Sequence, residues 1–423
     1  MRALKNIDSK RAVNILFVIS YLAILIFIIT YKPFGLYWDV NCWRRWSAFI
    51  YKHGISNAYL TLNINYNPLF LYVLWFYGKI FQSDAAIFNN IHLLKILVVT
   101  FDFASLYLLI KILKHFKINP LKSVFVLFNI AYFYDTLVWG QVDSIHTFLA
   151  FAAIYLFMKG KNIGGVALFI MAMNMKTQAF VFLPFVIYFL YKVWKENNLN
   201  FLKIFIIGIA FQIILILPFI VSNNLLNLTR NVFSAFSRSP VLSMNAHNIW
   251  YLFFIGNPMK ISDTLNIGFM TYKQSGIILF LLFSAIIFYP WFHRIIFHKW
   301  SLNFNNINDQ KILFLTVGLM VMFFFFFNTE MHERYIHPAI IFLGLYAILS
   351  NSYFIYVLVS LAYFLNMDFL LCHTPKIFIG WLFSHEILLP RLVASIYLIS
   401  MFIGIYGIYT MSGILKRKKA AGK

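Results

Sequence analysis

The sequence predicts an all-α, polytopic membrane protein with about 12 transmembrane helices, range about 11–13, plus one short re-entrant or interfacial segment. Three observations carry this. Of 423 residues, 62% are apolar and only 11% charged, whereas soluble domains average about 25% charged, so a soluble fold could not cover its surface. The apolar residues fall in runs of span length. The 35 Lys and Arg, against 13 Asp and Glu, gather largely between those runs. A soluble enzyme, a disordered chain and a disulfide scaffold are excluded. A net charge of +22 broken up by apolar runs fits membrane lipids and lipid phosphates, not nucleic acid.

The first run, Val13–Tyr31, follows Arg2, Lys5, Lys10 and Arg11. It reads as a retained first span with a cytoplasmic N-terminus, because it is too long for a signal-peptide core and lacks a cleavage site. Pro68–Phe81 is too short to cross and reads as re-entrant or interfacial. The remaining runs are Asn89–Leu113, Leu121–Val138, Asp143–Met158, Ile163–Met175, Gln178–Trp194, Phe201–Val221, Ser275–Trp291, Lys311–Phe327, Pro338–Leu349, Ser352–Asn366 and Leu388–Ile414. Basic loops at Lys111–Lys117, Met158–Lys161, Tyr191–Lys195 and His293–Lys299, with the basic tail 415–423, share the cytoplasmic side if Pro68–Phe81 does not cross. Both termini are then cytoplasmic. The same topology puts WDVNCWRRW, WGQVDS, NMKTQ, SMNAHN and TEMHERY on the external face. The long external stretches 32–88 and 222–274 are expected to roof a cavity there. No repeat or linker divides residues 1–423, which read as one integral-membrane domain.

An ionised Asp at a helix centre costs roughly 2.5–3.5 kcal/mol on the insertion scale, so each acid needs a reason. Asp8, Glu196 and Asp309 read as solvated cytoplasmic charges. Asp84, Asp263, Asp368 and Glu386 read as hydrated loop residues, and Asp102 as a structural acid that pairs with a Lys or bonds a neighbouring helix. Asp39 is either in a local salt bridge with Arg44 and Arg45 or a carboxylate base at head-group level. Asp143 either complements a helix dipole or, with Gln141, lines the cavity. Lys176 either snorkels or anchors a lipid phosphate. His332, Glu333 and Arg334 follow five consecutive Phe, a dense polar triplet. It is no zinc-protease signal, because the position four after His332 is Ile336. His247 is open between metal ligand, hydrogen-bond donor and interfacial residue. Cys42 and Cys372 set no framework.

Taken in order, WDVNCWRRWSAFIYKHG, NYNPLF, WGQVDSI, NMKTQAFVFLP, SMNAHNIWYLF and MHERYIHP resemble the C-type (GT-C) superfamily of integral-membrane glycosyltransferases. Within it, the chain looks most like the bacterial and archaeal mannosyltransferases related to the GPI-anchor mannosyltransferases. The resemblance covers residues from about 30 to 340 of a GT-C-like chain with large extracytoplasmic loops. It implies a catalytic Asp in the first external loop, here Asp39. It implies substrate contacts at Gln141, Asp143, Lys176, Gln178, His247, His332, Glu333 and Arg334. Three departures stand out. Tyr66-Asn67-Pro68-Leu69 replaces tyrosine-proline-proline-leucine, His247 replaces an aromatic residue, and Asp39 lacks the acidic neighbour that many members carry.

The resemblance further implies a polyprenyl-phosphate-linked sugar donor, with mannose favoured, and an acceptor hydroxyl on a glycan, lipid or protein. Phosphate leaves readily, so the chemistry needs cations at the departing phosphate, with Arg44, Arg45, Lys176 and Arg334 as candidates. It also needs one base, Asp39. Attack opposite the phosphate predicts inversion. No cofactor is required, no metal site is assigned, and a divalent cation is allowed. The expected location is the plasma (inner) membrane with the site on its extracytoplasmic face. The competing functions are a transporter or flippase for lipid-linked substrates, which would favour midplane sites in inverted repeats, a non-catalytic membrane subunit, and a polymerase or ligase using diphosphate-linked oligosaccharides.

Overall fold

Inside lipid every backbone N–H must bond within its own segment, so apolar runs become helices. The computed structural model describes residues 9–33, 35–61, 64–235, 237–254, 256–371 and 387–415. Asp8, Glu386, Cys372 and the basic tail from 416 on lie outside them. Among the described residues the architecture is helical apart from one hairpin, β1 (Asn266–Ile267) antiparallel to β2 (Met270–Thr271). Among the described residues seven helices are long and apolar enough to cross a membrane, or eight if one bent pair counts as a span. The chain is an α-helical membrane protein.

The described chain divides into two compact units. The first comprises Met1–Lys114, Asn119–Leu127 and Phe133–Arg238. It carries α1 (Ser9–Tyr31), α2 (Tyr37–His53), α3 (Ala58–Thr61), α4 (Pro68–Phe81), α5 (Asp84–Asn89), α6 (Leu94–His115) and α7 (Val124–Leu127). The short α8 (Ile130–Phe133), whose first three residues count with the second unit, precedes a π-helical turn, Tyr134–Trp139. Then come α9 (Asp143–Met158), α10 (Asn162–Met175), a 3-10 turn Thr177–Phe182, α11 (Leu183–Glu196), α12 (Asn198–Val221) and α13 (Leu225–Ser234). Helix α10 packs on α9, α12 and α4, and α2 packs on α4. The α9–α10 approach is close because Gly164 and Gly165 face Leu156 and Phe157, where a Cβ would come within 2.9 Å. Small residues serve this purpose in membrane helices. Helix α2 is amphipathic: Trp43, Trp46 and Ile50 are buried, while Tyr37 and Trp38 are exposed, as interfacial aromatics are.

The second unit comprises His115–Ile118, Phe128–Tyr132 and Ser239–Lys423. Its main helices are α14 (Ile249–Phe253), α15 (Tyr272–His298), α16 (Ile307–Phe327), α17 (His337–Ser350), α18 (Phe354–Leu371) and α19 (Leu388–Met411). Helix α16 is apolar all round and its spanning window is 89% buried, the expected pairing of composition and position. It packs on α15, α17 and α19. A Cβ at Gly318 would sit 2.6 Å from Leu343, and one at Gly404 2.6 Å from Leu319.

Each predicted run falls on helical backbone, but not all are of spanning length. Asp143–Met158, Asn162–Met175 and Phe354–Leu370 are short apolar helices, and α17 has 14 residues. A 14-residue helix rises about 21 Å, against a hydrocarbon core of about 30 Å. The run Leu121–Val138 is broken, its two halves Pro120–Leu127 and Ile130–Trp139 bent by 58°. Helix α4, expected not to cross, also has 14 residues.

Several acids differ from their expected roles. Asp309 is buried, accepting from Trp300 Nε1 and the Asn303 amide at 3.0 Å each. Asp263 is buried and accepts from Thr329 Oγ1 at 2.7 Å. Asp368 is buried within α18. Acids in such polar flanks look hydrated by sequence, yet side chains and amides from elsewhere take the place of water. Asp84 is half-buried beside Lys52 at 2.5 Å, and Asp102 accepts from Thr136 at 2.8 Å.

Candidate functional site

In the first unit the site is built where the start of α2 docks on the turn around Gly140. The Leu36 amide donates to the Trp139 carbonyl at 2.7 Å. Gly35 permits this with φ +101°, and a Cβ there would lie 2.6 Å from that carbonyl oxygen. After the π-helical turn, Gly140 adopts φ +87°, and the Gly140 and Gln141 amides both donate to the Asp135 carbonyl at 3.0 Å. This reversal aims the Trp139 indole and the Gln141 amide at Asp39. Trp139 Nε1 donates to Asp39 Oδ2 at 3.3 Å, and Gln141 Nε2 donates to the same oxygen. Asp39 Oδ1 takes no hydrogen bond from the described residues and is not sealed from solvent. The carboxylate is therefore oriented by neutral donors through one oxygen, with the other open. Replacing Gly35 with Ala is expected to cost about 1–3 kcal/mol from strain at positive φ. Thermal unfolding in a fixed detergent measures it, and an unchanged midpoint would contradict this account of the docking.

Arg44 and Arg45 do not pair with Asp39. On a helix only residues three or four apart are neighbours, so positions five and six beyond Asp39 point elsewhere. Arg44 Nη1 donates to Asn41 Oδ1 at 3.3 Å and its guanidinium lies 5.8 Å from the Phe88 ring centre. Arg45 is exposed. The neighbours of Asp39 along α2 are Cys42 and Trp43. Burial first, and the Asp39 charge second, push the Cys42 thiol above its ordinary value, with Arg45 acting the other way.

A second pair adjoins this one. Asp143 opens α9, where its charge complements the helix dipole, and Lys176 follows α10. Lys176 Nζ lies 2.5 Å from Asp143 Oδ1, with the side chains 6% and 1% exposed. His146 Nδ1 stands 3.8 Å from the same oxygen. Tyr66 links the two pairs: its hydroxyl donates to Gln141 Oε1 at 3.2 Å and its ring centre is 5.6 Å from Lys176 Nζ. Residues from four separate stretches thus form one connected group, Asp39–Gln141–Tyr66–Lys176–Asp143. Gln178, half-buried on the following 3-10 turn, keeps a buried Oε1 that accepts no hydrogen bond among the described residues.

In the second unit, SMNAHN and MHER come together. The Met244 amide donates to the Met331 carbonyl at 2.9 Å, and His332 bridges to Met244 and Asn245. Arg334 Nη1 donates to Glu333 Oε1 at 2.7 Å, and His332 Nδ1 stands 3.8 Å from Glu333 Oε2. Burial pushes the Glu333 carboxyl up, but Arg334 and His332 outweigh it and hold it below its usual value. His247 is buried between the edges of Tyr251 and Phe369, and neither ring nitrogen has a hydrogen-bond partner among the described residues. Burial pulls it down to about 3, the Glu333 charge opposing.

Below its ordinary value of 6.5, His247 gains a proton in the unfolded chain and not in the folded one, so stability falls as pH drops toward 3. His247→Phe is expected to flatten the thermal midpoint across that window. A variant as acid-sensitive as wild type there would refute the assignment. No group of three or more metal-ligating side chains occurs among the described residues.

Sequence reasoning gave no role to His146, Asp135 or Lys95. Lys95 donates to the Leu137 carbonyl at 2.6 Å, and Asp135 is buried in the π-helical turn. The available signal was a charge inside an apolar run. No protein-family model matches this sequence, and no curated protein matches it.

Proposed function

We propose that this chain is a membrane glycosyltransferase that moves one sugar, with mannose favoured, from a polyprenyl-phosphate donor to an acceptor hydroxyl on a glycan, lipid or protein. One observation carries it: the Asp39 carboxylate has one oxygen fixed by Trp139 and Gln141 and the other open. Such a group suits a general base, since it is oriented without being neutralised. Every step below rests on the first unit. The open oxygen takes the acceptor proton as the acceptor oxygen bonds to the anomeric carbon. The bond from that carbon to the phosphate oxygen breaks, and the phosphate leaves with the electron pair. Configuration at the sugar inverts.

Arg44, Arg45 and Lys176 are the cations of this unit assigned to the phosphate. Lys176 already shares its charge with Asp143 at 2.5 Å, whereas Arg45 is exposed. The topology proposed with this function has about 12 crossings, the short helices included, cytoplasmic termini and an extracytoplasmic site in the plasma membrane.

The experiment incubates purified protein in lipid nanodiscs with polyprenyl-phosphate mannose and alkyl mannoside acceptors, following free polyprenyl phosphate and the new glycoside. Transfer from the monophosphate donor with inverted configuration is expected. Transfer only from a diphosphate-linked donor would point to the ligase or polymerase class. Absence of release from either donor would overturn the proposal.

A further inference from the structure

The second unit carries an exposed apolar cluster that neither site uses. Leu265, just before β1, and Ile267 within it are 54% and 50% exposed, and Phe269 in the hairpin turn is 94% exposed. Phe253, at the end of α14, is 70% exposed. In water such a cluster is a liability, and it marks a surface that meets an apolar partner.

The hairpin is fixed to the start of a membrane-spanning helix. Helix α15 is one of the spanning candidates, and it begins at Tyr272, directly after β2. Thr271 and Gln274 form a reciprocal capping box at that junction. The Tyr272 amide donates to the Leu265 carbonyl at 3.0 Å, and the Lys273 amide to the Asp263 carbonyl at 3.0 Å. Lys273 Nζ holds Glu330 at 2.7 Å. A second span marks the same level. Arg391, in the first turn of α19, donates to the Tyr251 and Phe254 carbonyls at 3.3 Å each, and the Phe254 ring centre lies 5.4 Å from that of Tyr272. The starts of α15 and α19 therefore flank α14 and the hairpin.

The distance then decides the partner. Three residues of extended chain span at most about 11 Å, so Phe269 lies within that reach of Tyr272. A helix needs about 20 residues for the hydrocarbon core, and α15 has 27, so its polar first turn stands in the head-group layer. Exposed aromatic and aliphatic side chains at that depth partition into the interface. We infer that the Leu265–Thr271 hairpin is a membrane anchor whose Phe269 tip, with Leu265, Ile267 and Phe253, seats in the lipid head-group layer.

The test uses the full chain in vesicles of phosphatidylethanolamine and phosphatidylglycerol, with Cys42→Ser and Cys372→Ser as background. Phe269→Cys is labelled with an environment-sensitive fluorophore, and Ile26→Cys on α1 marks the lipid-facing extreme. The expected result is blue-shifted emission, quenched by phospholipid carrying a nitroxide near the head group and shielded from aqueous iodide. Emission as in water with full iodide quenching overturns the anchor. Shielding from iodide without nitroxide quenching also overturns it, and assigns the surface to a protein partner or a second copy. Asp39→Asn leaves this readout unchanged, so the anchor and the proposed chemistry stand or fall separately.

Discussion

Asp39→Asn is expected to lower sugar transfer from a polyprenyl-phosphate donor by about 10²–10⁴-fold, the usual share of a general base. The amide has the carboxylate's shape and still offers an oxygen to Trp139 Nε1, which now donates to Asp39 Oδ2 at 3.3 Å. It loses only the ability to take a proton. The fold should therefore hold, with a thermal midpoint near wild type, and the donor KM should change less than kcat. Gln141→Ala keeps the base and removes one of its two orienting donors, so a loss smaller than that of Asp39→Asn is expected. A purified Asp39→Asn protein that turns over like wild type would show that the acceptor proton goes elsewhere. A collapse of both fold and rate would instead make Asp39 a structural acid tying α2 to the Gly140 turn.

The largest stability effect is expected at the Lys176–Asp143 pair. With side chains 6% and 1% exposed, removing one partner takes the nearest opposite charge away from a buried group. Such a change typically costs about 3–5 kcal/mol. Lys176→Met leaves the carboxylate without its ammonium; Asp143→Leu leaves the ammonium without its carboxylate. The double variant removes both and should recover most of the loss, because well-packed apolar side chains often replace a buried ion pair at little cost. Denaturation of all four proteins in one detergent gives the coupling directly. Single variants within about 0.5 kcal/mol of wild type, as surface changes usually are, would mean the pair is solvated. The same variants bear on chemistry. If Lys176 also meets the donor phosphate, the double variant regains stability while its donor requirement stays raised.

These two groups show what was legible in the chain. The helices were, because crossing lipid is a local property: each run needs only its own apolar residues and its own backbone bonds. So were Asp39, Asp143 and Lys176 as polar residues out of place. Their partners were not. The apparent partners of Asp39, Arg44 and Arg45, are adjacent in sequence but off its helical face. Its actual donor Trp139 is 100 positions away.

A bend inside an apolar run was not legible either. The run 121–138 looks continuous by composition, yet its halves turn by 58°. Buried Asp135 and Lys95, and the reversal at Gly140, lie in or beside that broken stretch. The sequence by itself determined that this is a helical membrane protein and where its apolar helices run, since hydropathy acts residue by residue, while α2 and α13, inside the stretches read as external, were not foreseen. The tertiary structure alone decided which distant side chains meet, because a carboxylate's partner depends on how helices rotate and cross, and no local pattern records that.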